Sequence, residues 1–274
     1  MTKKEENVQE AKRSKVFVRR GRQAVERLAA DAFAPAAARH GSTAHFSVSF
    51  APSLGADGAT IADAILATCE ADCTTLQSYF GGITPAQLPF HIHITGGSTG
   101  ASHATCEATA LQIGARSAPG VDTAFMRQLV IAEEDEVFMA NFGHGWDCGA
   151  SNGEGLSRVL ANDMVPGAEP PDFVSAPVWL DAPGRPDFVN QTDPTDTNYV
   201  SIGCSALFLN WLRFQLSFSW SQIISAGTPT LAGTYTNLTG KNDALQQFKA
   251  LLQKHFPEGT PSGLTTDNPF PLAG

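Results

Sequence analysis

The sequence predicts an α+β fold in which a small twisted sheet packs on long helices and a mainly helical C-terminal lobe follows. Short segments that alternate apolar and polar residues occur in the first half of the chain, as is typical of half-buried strands. Two long segments in the same half repeat apolar residues every three or four positions, as amphipathic helices do. From Tyr199 to His255 the pattern is mainly helical.

The composition is that of a globular protein. Of 274 residues, 42% are hydrophobic and 16% are charged, which suits a packed core. No apolar run approaches the roughly 18 residues that cross a bilayer, and the N-terminus lacks the apolar segment of a signal peptide. We therefore expect a soluble protein that is cytoplasmic or exported without a classical signal peptide.

Charge is divided unevenly along the chain. Residues 1–40 carry ten Lys/Arg against five Asp/Glu, and the rest of the chain carries eight against twenty-two. The composition of the basic arm fits an address, a docking segment for an acidic partner or a nucleic-acid contact, and a solvated helical tail is the simpler interpretation. The acidic body argues against nucleic acid as the main ligand, because phosphate binding needs concentrated Lys and Arg.

The elements of the first half follow from periodicity and from end signals. Strands are predicted over 44–50, 90–94 and 109–115, and helices over 58–80 and 122–141. Asp122 or Thr123 can cap the second helix, and Gly143 can end it.

The second half contains a connection followed by helices. Residues 165–197 are rich in Pro, Asp and Gly, which indicates an ordered cover loop or a boundary between two lobes. Helices are predicted at 155–161, 199–216, 219–225, 230–238 and 244–255. The predicted organisation is a basic arm at 1–40, an α+β lobe at 41–164, a helical lobe at 165–260 and a loose tail at 261–274.

The second long helix carries four consecutive acidic residues. Its apolar stripe includes Glu133 and Glu136, whereas Glu134 and Asp135 are predicted to turn towards water. Burial of an unpaired glutamate is unfavourable. We therefore expect the two stripe glutamates to have partners, or a raised pKa for at least one of them.

Two motifs connect this helix with metal chemistry. The segment Ala132-Glu133-Glu134-Asp135-Glu136 has the spacing of H-E-x-x-H, in which two histidines bind zinc and the glutamate activates water. Glu154, eighteen positions after Glu136, lies in a Gly-Glu-Gly-Leu segment. That segment resembles the N-E-G-hydrophobic element of the gluzincin, or thermolysin-like, zinc metallopeptidases. On these matches the chain resembles that family over roughly residues 44–255, which implies a zincin-like fold.

The resemblance implies roles for several of these residues. Glu133 would be the catalytic base, and Glu136 and Glu154 would be ligands of zinc or another divalent cation. Ala132 stands where a histidine ligand is expected and has no lone pair to offer, so His144, Asp147 or Glu133 itself is the candidate for a further ligand. The cleft between the lobes would bind a peptide or protein along a sheet edge.

Three other histidines are candidate substrate-binding residues. His91 and His93 lie two apart in a predicted strand, so both side chains project from one face and can bind a metal together or line the cleft. His103 follows a glycine-rich loop and can also line the cleft. Exposure to solvent is the alternative for each of them.

The five cysteines show neither a disulfide-rich framework nor a paired zinc signature. Cys69 and Cys73 lie one helical turn apart, and we expect them to be small core residues. The odd count favours a reducing origin.

Three functions fit these observations. The first is a metallopeptidase-like protein that has lost zinc hydrolysis and binds a peptide or protein. The second is a working metal-dependent peptidase or hydrolase with a carboxylate-rich site of the kind that hard cations prefer. The third is an unrelated helical domain in which Glu133, Glu136 and Glu154 are ion-paired or solvated.

Overall fold

A mixed sheet and two long helices make up the first half of the fold. The computed structural model describes residues 39–97, 100–115 and 121–273. Its five strands lie in the order β1-β2-β3-β5-β4. They are β1 (Arg39–Ser42), β2 (Phe46–Phe50), β3 (Phe90–Gly96), β4 (Ala101–Ser102) and β5 (Ala110–Ala115). Strands β2, β3 and β5 are parallel, and β4 runs antiparallel to β5 at one edge.

Register explains how one face of the sheet is buried. Val48 lies opposite Ile92, and Ile92 lies opposite Leu111; all three side chains are buried. Since side chains alternate between the faces of a strand, His91 and His93 point to the opposite face. The predicted alternation of these strands is confirmed.

Two helices cover the buried face. Helix α1 (Gly55–Tyr79) packs on β2, and helix α2 (Thr123–Phe142) packs on α1 and β5. Arg127 of α2 donates two hydrogen bonds to the carboxylate of Asp72 on α1, at 2.6 and 2.8 Å. Asp122 caps α2 by accepting from the Phe125 amide, and Gly143 ends it with φ of 79°. Both end signals expected from the sequence are confirmed.

The second half of the described chain is helical. Its helices are α3 (Ser151–Met164), α4 (Ala176–Leu180), α5 (Tyr199–Asn210), α6 (Trp220–Ser225), α7 (Leu231–Thr239) and α8 (Ala244–His255), with a π-helical turn at Trp211–Gln215. Helix α5 is buried from Ser201 to Asn210 and packs on α3 and α4. The described residues therefore contain eight α-helices around a five-stranded mixed sheet, and the coarse mixed α/β architecture is confirmed.

One residue of the predicted loose tail at 261–274 is anchored to the helical half of the chain. Asp267 is buried, and its carboxylate accepts hydrogen bonds from the backbone amides of Ser175 and Ala176 at the start of α4. The Asn210 amide group also donates to the Asp267 carbonyl oxygen. The Pro- and Gly-rich composition indicated a loose segment. Composition alone does not show that a single aspartate accepts hydrogen bonds at a helix N-terminus.

The remaining organisation is only partly visible. Contacts gather His40–Gly274 into one compact unit, and the division of that unit into two lobes stays a prediction. The basic arm lies outside the described residues except for Arg39 and His40. Within the described ranges, no helix combines the length and hydropathy needed to cross a bilayer.

We predict that Gly155→Ala destabilises the packing of α3 on α5. A Cβ atom at position 155 would lie 2.5 Å from the Ser205 Cβ, and overpacking of this kind costs about 1–3 kcal/mol. The better helix propensity of alanine offsets at most about 1 kcal/mol of that. Urea denaturation followed by circular dichroism should show a lower free energy of unfolding.

The matched control is Gly149→Ala, in the turn before α3. There the nearest atom to a new Cβ is the Asp147 Oδ1, at 3.6 Å, so the free energy of unfolding should change by less than about 0.5 kcal/mol. Equal stability of the two variants would contradict the proposed close contact.

Candidate functional site

A cavity of about 560 Å³ lies beside the antiparallel edge of the sheet. Residues Gly100–Cys106, which include β4, line one side of it, and residues of α2 and α3 line another. Phe173 and Tyr199 complete the wall from the segments before α4 and at the start of α5. The cavity thus joins the sheet edge to the helix with the acidic run.

The three glutamates singled out from the sequence meet in this cavity. Glu133 and Glu136 of α2 and Glu154 of α3 all line it, together with Ala132. Glu133 and Glu136 lie three residues apart and therefore share a helix face. The three carboxyl side chains therefore border one cavity and do not lie on separate surfaces.

The glycines on both sides of Glu154 bring it into this position. A Cβ at Gly153 would lie 2.0 Å from the Asp147 carbonyl oxygen, and a Cβ at Gly155 would collide with Ser205 of α5. Only glycine allows the backbone to approach so closely on both sides. The two glycines of the Gly-Glu-Gly segment are therefore explained by close packing against the α2–α3 connection and α5.

His103 supplies an imidazole to the cluster. Its Nε2 lies 2.8 Å from the Glu136 Oε2 and 3.9 Å from the Glu133 Oε2. Its Nδ1 lies 3.3 Å from the Ala108 carbonyl oxygen, so Nδ1 must carry a proton to make that bond. A second proton lies between His103 and Glu136, either on the imidazolium or on the carboxyl group. His103 is thus both the partner of Glu136 and a wall of the cavity.

Burial sets the protonation of the other two glutamates. It raises the pKa of Glu133 well above its usual value, and repulsion from Glu136 and Glu154 raises it further. Burial also raises the pKa of Glu154 to about 9, with a smaller contribution from Glu136 and an opposing one from Arg158. The expected raised pKa in the pair Glu133 and Glu136 is confirmed for Glu133. The raised pKa of each group favours its neutral form, which can donate a hydrogen bond.

The prediction that Glu134 and Asp135 face water is wrong. Both residues are 0% exposed, and their carboxyl oxygens have no hydrogen-bond partner among the described residues. Burial raises the pKa of both groups, and the charges of Asp72 and Glu70 on α1 add to the effect on Glu134. The prediction assumed one covered face, but α1, α3 and the sheet all pack on α2.

A disulfide that the sequence did not indicate borders the cavity. Cys106, in the β4–β5 connection, is bonded to Cys148, in the α2–α3 connection, and both residues line the cavity. No spacing rule could have paired them, because they are 42 positions apart and meet only in the folded chain. The inference of a reducing origin from the odd count is not supported by this bond. Cys69, Cys73 and Cys204 are free and buried, as expected for the first two.

His91, His93 and His144 are not brought together with the glutamates. His91 is exposed, and His93 lies 2.9 Å from the Ser49 hydroxyl on the sheet face away from the helices. His144 is exposed and stacks on Phe142 at 4.5 Å between ring centroids. None of the three lines the cavity, so of the four candidate histidines only His103 lies with the acidic cluster.

Arg158 is the cation of the cavity wall that sequence reasoning missed. Its guanidinium lies 5.0 Å from the Tyr199 ring centroid and 5.7 Å from that of Phe173, and it donates to the Phe173 carbonyl oxygen. The sequence did contain a signal for Arg158: it lies four residues after Glu154, which places the two side chains on one face of α3. It places positive charge and two aromatic rings beside the acids.

We predict that Glu134→Gln makes stability less dependent on pH. Because burial raises the pKa of Glu134 in the folded protein, the folded state holds more protons than the unfolded state above the ordinary glutamate pKa. Stability is therefore lost as pH rises. The amide removes this effect, so the slope of unfolding free energy against pH between about 5 and 8 should fall by up to about 1.4 kcal/mol per pH unit.

The measurement is urea denaturation at several pH values. The exposed Glu107 offers the matched control, and Glu107→Gln should leave the slope unchanged. Parallel curves for wild type and Glu134→Gln would show that Glu134 is not held neutral in the folded protein.

Comparison with known proteins gives no assignment: no family model, no curated protein and no solved structure matches this chain.

Proposed function

We propose that this chain is a zincin-like protein that binds an extended peptide along β4 and does not hydrolyse it by zinc chemistry. The observation that carries the proposal is that β4 and the glutamate cluster line the same cavity. The order of strands and helices and the meeting of Glu133 with Glu154 support the resemblance to the gluzincin metallopeptidases. A ligand paired with β4 would lie directly beside these acids.

The backbone of β4 is arranged to accept another strand. The Gly114 amide donates to the Gly100 carbonyl oxygen at 2.7 Å, and Ala101 lies opposite Ile113. Hydrogen-bonded and non-bonded pairs alternate in an antiparallel ladder. The N–H and C=O of Ala101 therefore point away from β5, at the end of the sheet order. Main-chain pairing of this kind is a common mode of peptide recognition.

The rest of the cavity suits a peptide that carries an apolar side chain. Phe125, Leu129 and Phe173 line it, and aromatic walls favour burial of apolar groups. The Glu133 Oε2 is buried and has no hydrogen-bond partner among the described groups. As a neutral acid, Glu133 can donate to a peptide carbonyl oxygen.

The donor set does not fit catalytic zinc of the gluzincin type. That chemistry uses three protein ligands and an open position for water. Ala132 occupies the place of the first histidine and offers no ligand atom, and Glu136 offers a carboxylate where the second histidine is expected. Loss of zinc hydrolysis with retention of the peptide cleft follows from these substitutions.

We predict that Ala101→Pro abolishes peptide binding. Proline removes the outward N–H of residue 101, whereas the β4–β5 hydrogen bonds of the flanking pairs remain. An array of capped five-residue peptides of random composition, probed with fluorescently labelled protein in its oxidised form, should reveal a set of bound peptides. That set should be lost with Ala101→Pro.

The matched control is Ala101→Ser, which keeps the N–H and nearly the same volume. It should bind the wild-type set of peptides with affinity within about threefold. Absence of peptide binding by wild-type protein, or equal binding by Ala101→Pro, would contradict the proposed function.

A metal-dependent hydrolase with a carboxylate-rich site is the second candidate. The observation in its favour is that His103 brings an imidazole to within 2.8 Å of Glu136, although Ala132 cannot supply one. Oxidised protein purified without chelator should contain no stoichiometric metal and should cleave no peptide of the array if the first proposal is right. Stoichiometric metal, with cleavage lost on addition of phenanthroline or in Glu133→Gln, would instead establish the hydrolase.

A further inference from the structure

Three different metal-ligand atoms converge at one end of the cavity. A nitrogen of His103, a carboxylate oxygen of Glu136 and the sulfur of Cys148 all lie within 4.8 Å of one another. Each of these residues also lines the cavity, so an ion can reach them from the cavity space. Imidazole, carboxylate and thiolate together are a donor set that Zn²⁺ binds in proteins.

While the disulfide is intact, the Cys148 sulfur cannot act as a metal ligand. A thiolate is the form of cysteine that binds metals, and the Cys148 sulfur is bonded to Cys106. A dithiol or phosphine reductant would supply two electrons and break the S–S bond, and with two protons the products are two thiols. The second thiol, that of Cys106, is then next to the first and also lines the cavity.

We propose that reduction of the Cys106–Cys148 disulfide creates a zinc site from Cys148, His103 and Glu136, with Cys106 as the fourth ligand. Binding of one Zn²⁺ releases three protons to solvent, two from the thiols and the one shared by His103 and Glu136, and forms two Zn–S bonds, one Zn–N bond and one Zn–O bond. Four ligands of these types complete the tetrahedral coordination of a structural zinc site. The site is distinct from the gluzincin arrangement, because three of its ligands come from loops and Glu154 is not a ligand.

The hydrogen bonding of His103 already suits a metal ligand. Its Nδ1 donates to the Ala108 carbonyl oxygen, at 3.3 Å, and its Nε2 points at Glu136. A second hydrogen bond from the other ring nitrogen is what orients most zinc-bound histidines and fixes their tautomer. In the neutral imidazole, Nε2 then has its lone pair directed into the proposed site.

The position of the disulfide gives the site a switch. Cys106 lies in the connection that also carries His103 and Ala108, and Cys148 lies in the connection between α2 and α3. Either the S–S bond or a shared zinc ion therefore joins the same two loops. The oxidised and zinc-bound states would hold the cavity wall together by alternative links, and the inference does not depend on peptide binding.

The test is zinc binding by oxidised and reduced protein. Protein is reduced anaerobically with a phosphine, desalted and titrated with Zn²⁺ against a chromophoric chelator, and metal content is measured by mass spectrometry. We expect about one zinc per reduced chain and an affinity at least about tenfold lower in the oxidised protein. Co²⁺ in place of Zn²⁺ should give thiolate-to-cobalt charge-transfer absorption in the reduced protein only.

Three variants identify the ligands. Cys148→Ser should abolish the cobalt charge-transfer band of the reduced protein or shift it to that of a single remaining thiolate, with zinc affinity at least about tenfold lower. His103→Ala should lower zinc affinity to a similar extent. Cys106→Ser should bind zinc without any reductant, because Cys148 is then a free thiol.

The control is Cys69→Ala, since Cys69 is a free buried cysteine that does not line the cavity; its zinc affinity should equal that of wild type. Near-ultraviolet circular dichroism checks that each variant is folded. If a variant is not folded, the cobalt spectra of oxidised and reduced wild-type protein still test the proposal. Equal zinc affinity in oxidised and reduced wild type, or no thiolate band after reduction, would overturn the proposal. The peptide array uses oxidised protein without zinc. A failure to bind peptides would therefore count against the proposed function and not against zinc binding by the reduced protein.

Discussion

Burial of α2 on all sides is the constraint on which the site depends. The helix is covered by α1, by α3 and by the sheet, and its four consecutive acidic residues are all at least nine-tenths buried. Charged carboxylates are strongly disfavoured in such surroundings. The fold meets this constraint in two ways: Glu136 pairs with His103, and the other three carboxyl groups have raised pKa values that favour their neutral forms.

The same constraint explains why the cavity is chemically unusual. A buried helix next to an open sheet edge places neutral acids beside backbone groups that can pair with a ligand. The glycines at 153 and 155 let the N-terminal turn of α3 pack closely against the α2–α3 connection and against α5. Glu154 lies between these two close contacts, so the backbone at both of its neighbours is fixed by packing.

Local signals in the sequence were sufficient for most elements and for part of the site, but not for the short elements β1, β4 and α4. Alternation found β2, β3 and β5, three-and-four periodicity found α1 and α2, and the ends of α2 at Asp122 and Gly143 followed from capping rules. The meeting of Glu133, Glu136 and Glu154 followed from motif spacing. These features depend on residues near one another in sequence, or on a spacing that known folds share.

The rest could not be found because it depends on tertiary contacts. Glu134 and Asp135 were predicted to be exposed because a single apolar stripe implies one covered helix face. In the fold, α2 packs against α1, α3 and the sheet. His103 and Cys148 are 33 and 12 positions from Glu136 in opposite directions along the chain, and only the fold brings their ligand atoms together. Asp267 likewise meets Ser175 across 92 positions. None of these pairs has a local pattern.

Charge accounting connects the peptide cavity with the proposed zinc site. A peptide backbone is neutral, so it can enter the oxidised cavity while Glu133 and Glu154 keep their protons. A divalent ion held by carboxylates alone would require those buried acids to ionise. The two thiols formed by reduction lose their protons when zinc binds, and the resulting thiolates balance both charges of Zn²⁺. The net charge near Glu133 and Glu154 therefore stays within about one unit of its value in the oxidised protein. A cavity whose acids are already neutral is therefore better suited to a thiolate-containing zinc site than to a carboxylate-only one.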